Sequence, residues 1–307
     1  MQRLYFIIGC TAGGKGTLGR ALARRVGGRI ISVDSMKIYR RMDIGTAKPS
    51  SEIRAEIPHY CIDLVEPWEG FSVAQYVEHA DKAAVDIRAA GAVPLAVGGT
   101  SLYLKALTEG LFEGPSADDQ LRRRLTERAD KEGLAALHAE LGRIDPEAAA
   151  RIHPNDAKRI VRALEVFHHT GKPISDLQQQ WDGSRRYECV LVGLRREKED
   201  LNRRINLRVR RMVEAGLRDE VKALLDDPHG LAGQAAQAVG YAEVIEHLAG
   251  RCSFDDAVEQ IKINTRRLAK KQRTWQRRFR DVIWIDVEGD DFVDAALDNV
   301  LQRVEFS

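Results

Sequence analysis

Apolar residues in this chain follow two patterns. Short unbroken runs read as buried strands, and longer stretches with apolar positions three and four apart read as helices. Tyr5–Leu22 (YFIIGCTAGGKGTLGRAL) predicts a strand, a glycine-rich turn and a helix that turns Leu18, Ala21, Leu22 and Val26 inward. Arg29–Asp34 (RIISVD), Cys61–Val65 (CIDLV) and Val93–Val97 (VPLAV) predict further buried strands. A helix with Val73, Tyr76, Val77, Ala80 and Ala84 on one face separates the last two. Short apolar strands alternating with helices predict an α/β fold with a doubly wound parallel sheet.

From Leu111 to about Arg186 the strand pattern stops. That stretch reads as helices broken at Gly133, Gly142, Pro146, Pro154, Gly171 and Pro173, with Asp156 capping one helix and Gly171 ending it. Cys189–Leu194 (CVLVGL) resumes the sheet. The expected organisation is therefore a core of residues 1–114 and 187–307 with a helical insertion at 115–186. In the second half of the core, Leu201–Leu225 reads as one long amphipathic helix. Another helix runs from Phe254 to about Arg280, and Val282–Val287 (VIWIDV) reads as the last strand.

Composition excludes more than it identifies. With 44% hydrophobic and 31% charged residues and a net charge of +2, the 307-residue chain is an ordinary globular sequence, and overall charge does not point to a partner. Cys10, Cys61, Cys189 and Cys252 are scattered without a CxxC pair, which suggests neither a zinc site nor a disulfide framework. A reducing cytoplasm fits. The apolar run at the N-terminus is too short for a membrane span, so no membrane partner is expected.

The chemistry begins at the first turn. Gly9-Cys10-Thr11-Ala12-Gly13-Gly14-Lys15 has the makings of a phosphate-binding P-loop, in which backbone N–H groups and a helix N-terminus meet phosphate oxygens and the lysine adds a full charge. The usual motif continues with Ser or Thr. This chain has Gly16, with Thr17 one place later. Asp34 ends the second strand, where open α/β sheets place their ligands, and Gly98-Gly99-Thr100 marks another strand-to-helix turn. The polar stretch Met36–Pro49 is too long for a simple turn.

Charge is distributed unevenly. Arg266–Arg280 (RRLAKKQRTWQRRFR) carries eight basic residues and no acidic one. Arg266, Lys270, Arg273, Arg277 and Arg280 share one helical face, and Leu268, Gln272, Trp275 and Phe279 another. A solvated helix would intersperse glutamates, so this pattern favours an anionic polymer. Arg122–Arg124 and Arg151–Arg162 add further basic clusters. A phosphorylated small molecule in the loop with a nucleic acid across the face accounts for both features.

These segments resemble the tRNA dimethylallyltransferases (tRNA isopentenyltransferases) of the bacterial type. The carrying residues are Gly9–Thr17, Val33–Pro49 (VDSMKIYRRMDIGTAKP), Val97–Leu107 (VGGTSLYLKAL), Ala150–Val166, Ala238–Glu243 (AVGYAE) and Thr265–Arg278. The resemblance implies a P-loop kinase-like core with a helical insertion that grips the anticodon stem-loop of tRNA. It implies that dimethylallyl diphosphate occupies the loop and gives its five-carbon group to N6 of the adenosine just 3′ of the anticodon, releasing pyrophosphate with Mg²⁺ as cofactor. By the same resemblance Asp34 is the base and Thr100 orients the reacting groups. Gly9, Thr11, Ala12, Gly13, Gly14, Lys15, Gly16, Thr17 and Arg208 hold the diphosphate, with Thr17 the candidate metal contact.

The stretches matching tRNA contacts are Asp34, Ser35, Met36, Lys37 and Thr100; Arg122, Lys158, Arg159 and Arg162; Gln237, Gly240 and Tyr241; and Lys270, Lys271, Gln272, Arg273, Trp275 and Arg277. A monomer is expected. Gly16 departs from the family pattern, as do Met36-Lys37, Ser101 in place of a glycine and Ala242 in place of a basic residue. A free-nucleotide isopentenyltransferase would have little use for the insertion. A nucleoside monophosphate kinase would accept the GKGT ending but leave the basic elements unexplained. A non-enzymatic RNA-binding module would not need Lys15 or Asp34.

Overall fold

The computed structural model describes residues 2–111, 114–115, 117–177 and 185–306. The chain divides into two compact units, residues 1–108 with 186–307 and residues 109–185. The first unit begins β1 (Arg3–Ile8), α1 (Lys15–Val26), β2 (Gly28–Val33), α2 (Ser51–Glu56), β3 (His59–Tyr60), α3 (Val73–Ala89), β4 (Val93–Gly98) and α4 (Ser101–Glu109). The second unit holds α5 (Asp119–Glu132), α6 (Leu134–Ile144), α7 (Pro146–Arg151), α8 (Ala157–Thr170) and α9 (Ile174–Leu177). The first unit then resumes with β5 (Glu188–Arg195), α10 (Lys198–Glu214), α11 (Leu217–Leu225), α12 (Gly233–Ala236) and α13 (Tyr241–Leu248). It ends with α14 (Phe254–Gln276), β6 (Val282–Asp286) and α15 (Val293–Arg303).

The strands of the first unit form a wholly parallel sheet in the order β3-β2-β4-β1-β5-β6. Alternation along β1 shows why both faces must be covered. Leu4, Phe6 and Ile8 enter a core built with Tyr76 and Ala80 of α3, Leu104 of α4 and Ile205 of α10. Tyr5 and Ile7 enter the opposite core with Leu18 and Leu22 of α1 and Val300 of α15. β4 lies between β2 and β1, so the turns after these three strands emerge side by side at the carboxyl edge of the sheet.

Several expectations are corrected. No ladder forms over Cys61–Val65, where a strand is expected; β3 is the two residues before it, His59–Tyr60. Cys61 (φ 59°) and Asp63 (φ 55°) turn the backbone out of the ladder, and Val65 keeps only an isolated bridge to Tyr39. The single helix expected over Leu201–Leu225 is two, because Gly216 adopts φ 95°, which a helix cannot contain and glycine permits. α14 ends at Gln276, short of Arg280, and Gly142 lies inside α6 instead of breaking it. Helices α2, α12, α13 and α15 lie outside the expected elements.

The second unit packs around Leu125, Leu137, Leu141, Ile160 and Leu164. Asp156 caps α8 by accepting the Arg159 N–H at 3.2 Å, and Gly171 ends it with φ 66°. Glu165, fully buried, accepts from Arg122 Nε (2.9 Å), Arg162 Nη1 (2.5 Å) and the Asp118 N–H (2.8 Å). Burial alone would raise its pKa, but these donors hold the carboxyl below the usual range.

Candidate active site

The turn between β1 and α1 is an anion receptor by construction. Ala12 (φ 59°) and Gly14 (φ 99°) fold the backbone back on itself, and the Gly13 N–H donates to Cys10 O at 3.1 Å. The N–H groups of Gly14, Lys15 and Gly16, at the start of α1, find no acceptor among the described residues. Gly14 has a second constraint besides its left-handed backbone. A Cβ there would lie 2.4 Å from Cζ of Phe292, whose ring covers the loop.

Arginines from behind hold the loop's carbonyls. Arg196 Nε donates to Gly13 O and Arg204 Nε to Ala12 O, both at 3.1 Å. Their charges are balanced by Asp200 and Asp290, and Arg196 also lies 4.5 Å over the Phe292 ring. Arg208, one turn beyond Arg204 on α10, donates to Thr11 Oγ1 at 3.3 Å and to Thr46 O at 3.4 Å. On the fourth side, Gln272 of α14 accepts the Thr11 N–H at 2.7 Å and donates to Gly99 O at 3.0 Å. The loop is thus held rigidly before any ligand arrives.

Asp34 and Thr100 complete the carboxyl edge. Asp34 Oδ1 accepts the Met36 N–H at 3.0 Å, and Thr100 Oγ1 accepts the Ser35 N–H at 3.1 Å. Lys15 Nζ donates to Cys10 O at 3.2 Å. Burial lowers the pKa of Lys15 and of Arg208, and the Asp34 charge opposes the shift in both. Lys37 is pushed down to about 8 by burial, against the pull of Asp34 and with the help of Arg208, Lys15 and Arg20. An anion entering this space meets several cations whose charge is poorly solvated.

Of these groups, Lys15, Asp34, Lys37, Thr100, Arg204, Arg208, Gln272 and Phe292 line one open cleft of about 1340 Å³. Of the candidate residues, Thr11, Ala12, Gly14, Lys15, Gly16, Thr17, Asp34, Ser35, Met36, Lys37, Thr100, Arg208, Gln237, Tyr241, Lys271, Gln272 and Trp275 reach it. Gly9 and Gly13 lie beneath the loop, both buried, and Gly240 precedes α13. Tyr241 is wholly buried, and its hydroxyl donates to Glu220 at 2.6 Å. Glu220 in turn accepts the N–H groups of Asp43, Ile44 and Gly45, so Tyr241 supports the loop 36–49 from below.

The face of α14 that meets the cleft carries Thr265, Leu268, Lys271, Gln272 and Trp275, while Lys270, Arg273 and Arg277 lie off it. Among the described residues no carboxylate pairs with Lys270, Lys271, Arg273 or Arg277, although Arg278 stacks 5.1 Å over Trp275. In the second unit Arg122 and Arg162 are engaged by Glu165, and the exposed Arg159 pairs with Asp156 at 3.1 Å. Lys158 is exposed on the same helix, α8.

Sequence reasoning missed Arg20, Arg196, Arg204, Glu220, Lys48 and Phe292. Lys48, its side chain 1% exposed, donates to Tyr39 O at 2.8 Å and pairs with Asp63 and Asp43, closing the loop 36–49 on itself. Arg204 was within reach, because it stands four places before the candidate Arg208 and so shares its helical face. Phe292 carries no signal in the sequence.

As to Mg²⁺, Asp34 and Thr17 offer the cleft the oxygen donors this cation takes. Among the described residues no three His, Cys, Asp or Glu side chains gather as a metal cluster. This donor set fits a cation carried mainly by phosphate oxygens. No described helix is long and apolar enough to cross a membrane.

Residues 37–279 match the family profile of the IPP transferases. The chain is 47% identical over 288 residues to the tRNA dimethylallyltransferase of Geobacter metallireducens, covering 94% of this chain and 93% of that one. It is 46% identical to the enzyme of the same name from Geobacillus thermodenitrificans, covering 93% and 91%. Among solved structures it is similar to the full-length tRNA isopentenylpyrophosphate transferase of Bacillus halodurans, with a TM-score of 0.72, 38% identity and 98% and 96% coverage. It is also similar to a eukaryotic dimethylallyltransferase captured acting on tRNA, with a TM-score of 0.84, 25% identity and 100% and 81% coverage. With a matching profile over most of its length and relatives near half identity along nearly all of it, the chain belongs to the IPP transferase family, among the tRNA dimethylallyltransferases.

Proposed function

We propose that this enzyme transfers the dimethylallyl group of dimethylallyl diphosphate to N6 of the adenosine just 3′ of the anticodon in tRNA. The observation that carries the reading is the convergence of the phosphate loop, Asp34 and Thr100 from three adjacent strand ends on one cleft. The loop amides, Lys15 and Arg208 hold the diphosphate and neutralise the charge that grows on it as the carbon–oxygen bond breaks. Adenine N6 is a weak nucleophile because its lone pair is delocalised into the ring. Asp34 accepts a proton from it as the new carbon–nitrogen bond forms. Thr100 fixes the backbone on which Asp34 sits.

The adenosine must leave its loop stack to reach the cleft, at a cost of a few kcal/mol. Lys37, Lys271 and Trp275 at the cleft and the basic residues of the 109–185 unit are the proposed RNA contacts. Trp275 offers a flat surface for a splayed base. Mg²⁺, held by the diphosphate with Thr17, would add charge neutralisation to the leaving group. Incubation with labelled dimethylallyl diphosphate or labelled ATP, each with tRNA or AMP, tests the reading. Label should pass only from dimethylallyl diphosphate to tRNA; transfer from ATP, or to AMP, would refute it.

A further inference from the structure

Arg20 stands one helical turn after Gly16 on α1, so the two positions share a face. Gly16 occupies the place where phosphate loops ordinarily carry a hydroxyl. A Cβ built there would lie 3.4 Å from Arg20 Nη1, so the guanidinium borders the space that the missing side chain would fill. Arg20 lines the same cleft as Lys15, Thr17 and Asp34.

Among the described residues no hydrogen bond or ion pair holds the Arg20 side chain. Glu56 attracts it, but both Glu56 oxygens are taken by Arg24, at 2.5 and 2.7 Å. Burial and the neighbouring Arg24 both disfavour its charge. Five N–H donors are therefore presented to a cleft already built for an anion, without an acceptor of their own.

We propose that Arg20 binds a phosphate oxygen of the leaving diphosphate through the space left open at Gly16, supplying positive charge where a loop hydroxyl would ordinarily meet the metal ion. This rests on the reading that a diphosphate occupies the loop. A guanidinium can follow the charge as it builds on the diphosphate, and it needs room that a Ser or Thr at position 16 would reduce. The same chemistry could instead serve a backbone phosphate of the RNA, and the test separates the two sources.

Pyrophosphate binding is measured by calorimetry in the presence of Mg²⁺ for the wild type, Lys15→Ala, Arg20→Ala, Gly16→Thr and the double variant Gly16→Thr/Arg20→Ala. Thermal melts check folding, and tRNA affinity is measured separately. Wild type should bind and Lys15→Ala should not, which tests the underlying reading. Arg20→Ala should weaken pyrophosphate binding about tenfold, near the lower end expected for a charged hydrogen bond, with tRNA affinity changed less than about twofold. Gly16→Thr should weaken binding when Arg20 is present but strengthen it in the Arg20→Ala background, a reversal that a purely structural arginine would not produce. Arg20→Ala binding pyrophosphate like the wild type while Lys15→Ala fails would overturn the proposal alone. Weaker tRNA affinity with pyrophosphate binding intact would also overturn it, by moving Arg20 to the RNA. A wild type that does not bind pyrophosphate would remove both readings.

Discussion

Thr100 Oγ1 accepts the backbone N–H of Ser35 at 3.1 Å, so the ends of β4 and β2 are joined beside Asp34. Thr100 begins the turn into α4, and the hydroxyl reaches across to the neighbouring strand. Asp34 therefore inherits its position from a residue more than sixty places away in the chain.

Thr100→Val keeps the shape and removes the acceptor. Without that bond the fold should be less stable by about 1 kcal/mol, and a displaced base can cost up to about 10²-fold in rate. The fall should lie in kcat, with KM for dimethylallyl diphosphate nearly unchanged, and Thr100→Ser should restore it. Steady-state kinetics on the three proteins check this. Equal kcat in wild type and Thr100→Val would leave the bond without a role.

Lys37 ties stability to pH. Its folded pKa, about 8, lies below the value of about 10.4 for a free lysine. Because the unfolded chain binds the proton more tightly, the charged lysine penalises the fold fully below about pH 8. The penalty is released as pH rises from 8 towards 10.4. Lys37→Met should therefore be more stable than wild type at pH 7, and that advantage should shrink by pH 9.5. Urea midpoints at the two pH values decide it; a constant difference would mean that Lys37 titrates as an exposed lysine does.

The basic face of α14 is open to a direct test. Neutralising Lys270, Arg273 and Arg277 should weaken tRNA binding and lower its salt slope by roughly one unit for each RNA phosphate no longer neutralised. Affinity for dimethylallyl diphosphate should stay close to that of the wild type, because these residues lie off the cleft. Binding isotherms across a salt series give both quantities. An unchanged slope would make this face a solvated surface.

Much of this was legible in the sequence because its signals are local. Strand β1, the glycine-rich turn, Lys15 and the start of α1 form one continuous segment, and the apolar runs of β2, β4 and β5 need no partner to be recognised. The sheet edge at β3 was misjudged because positive φ at Cys61 and Asp63 depends on the loop around Lys48, not on local pattern. The break at Gly216 was hidden by apolar periodicity that runs through it. The loop's outer support by Arg196 and Phe292 joins segments nearly 200 residues or more from the loop, and nothing in their own neighbourhoods marks them. The pairing of Arg122 and Arg162 with Glu165 also escaped notice, since a buried glutamate looks like any other in sequence.

Asp34 as the base in prenyl transfer to tRNA is the assignment on which the mechanism depends. Asp34→Asn keeps the size of the side chain and an oxygen to accept the Met36 N–H, but it cannot take the proton. Single-turnover transfer from labelled dimethylallyl diphosphate to tRNA, at saturating enzyme, isolates the chemical step from binding and release. The rate should fall by about 10²–10⁴-fold while tRNA and pyrophosphate affinities change little. A variant that transfers label at close to the wild-type rate would contradict the assignment.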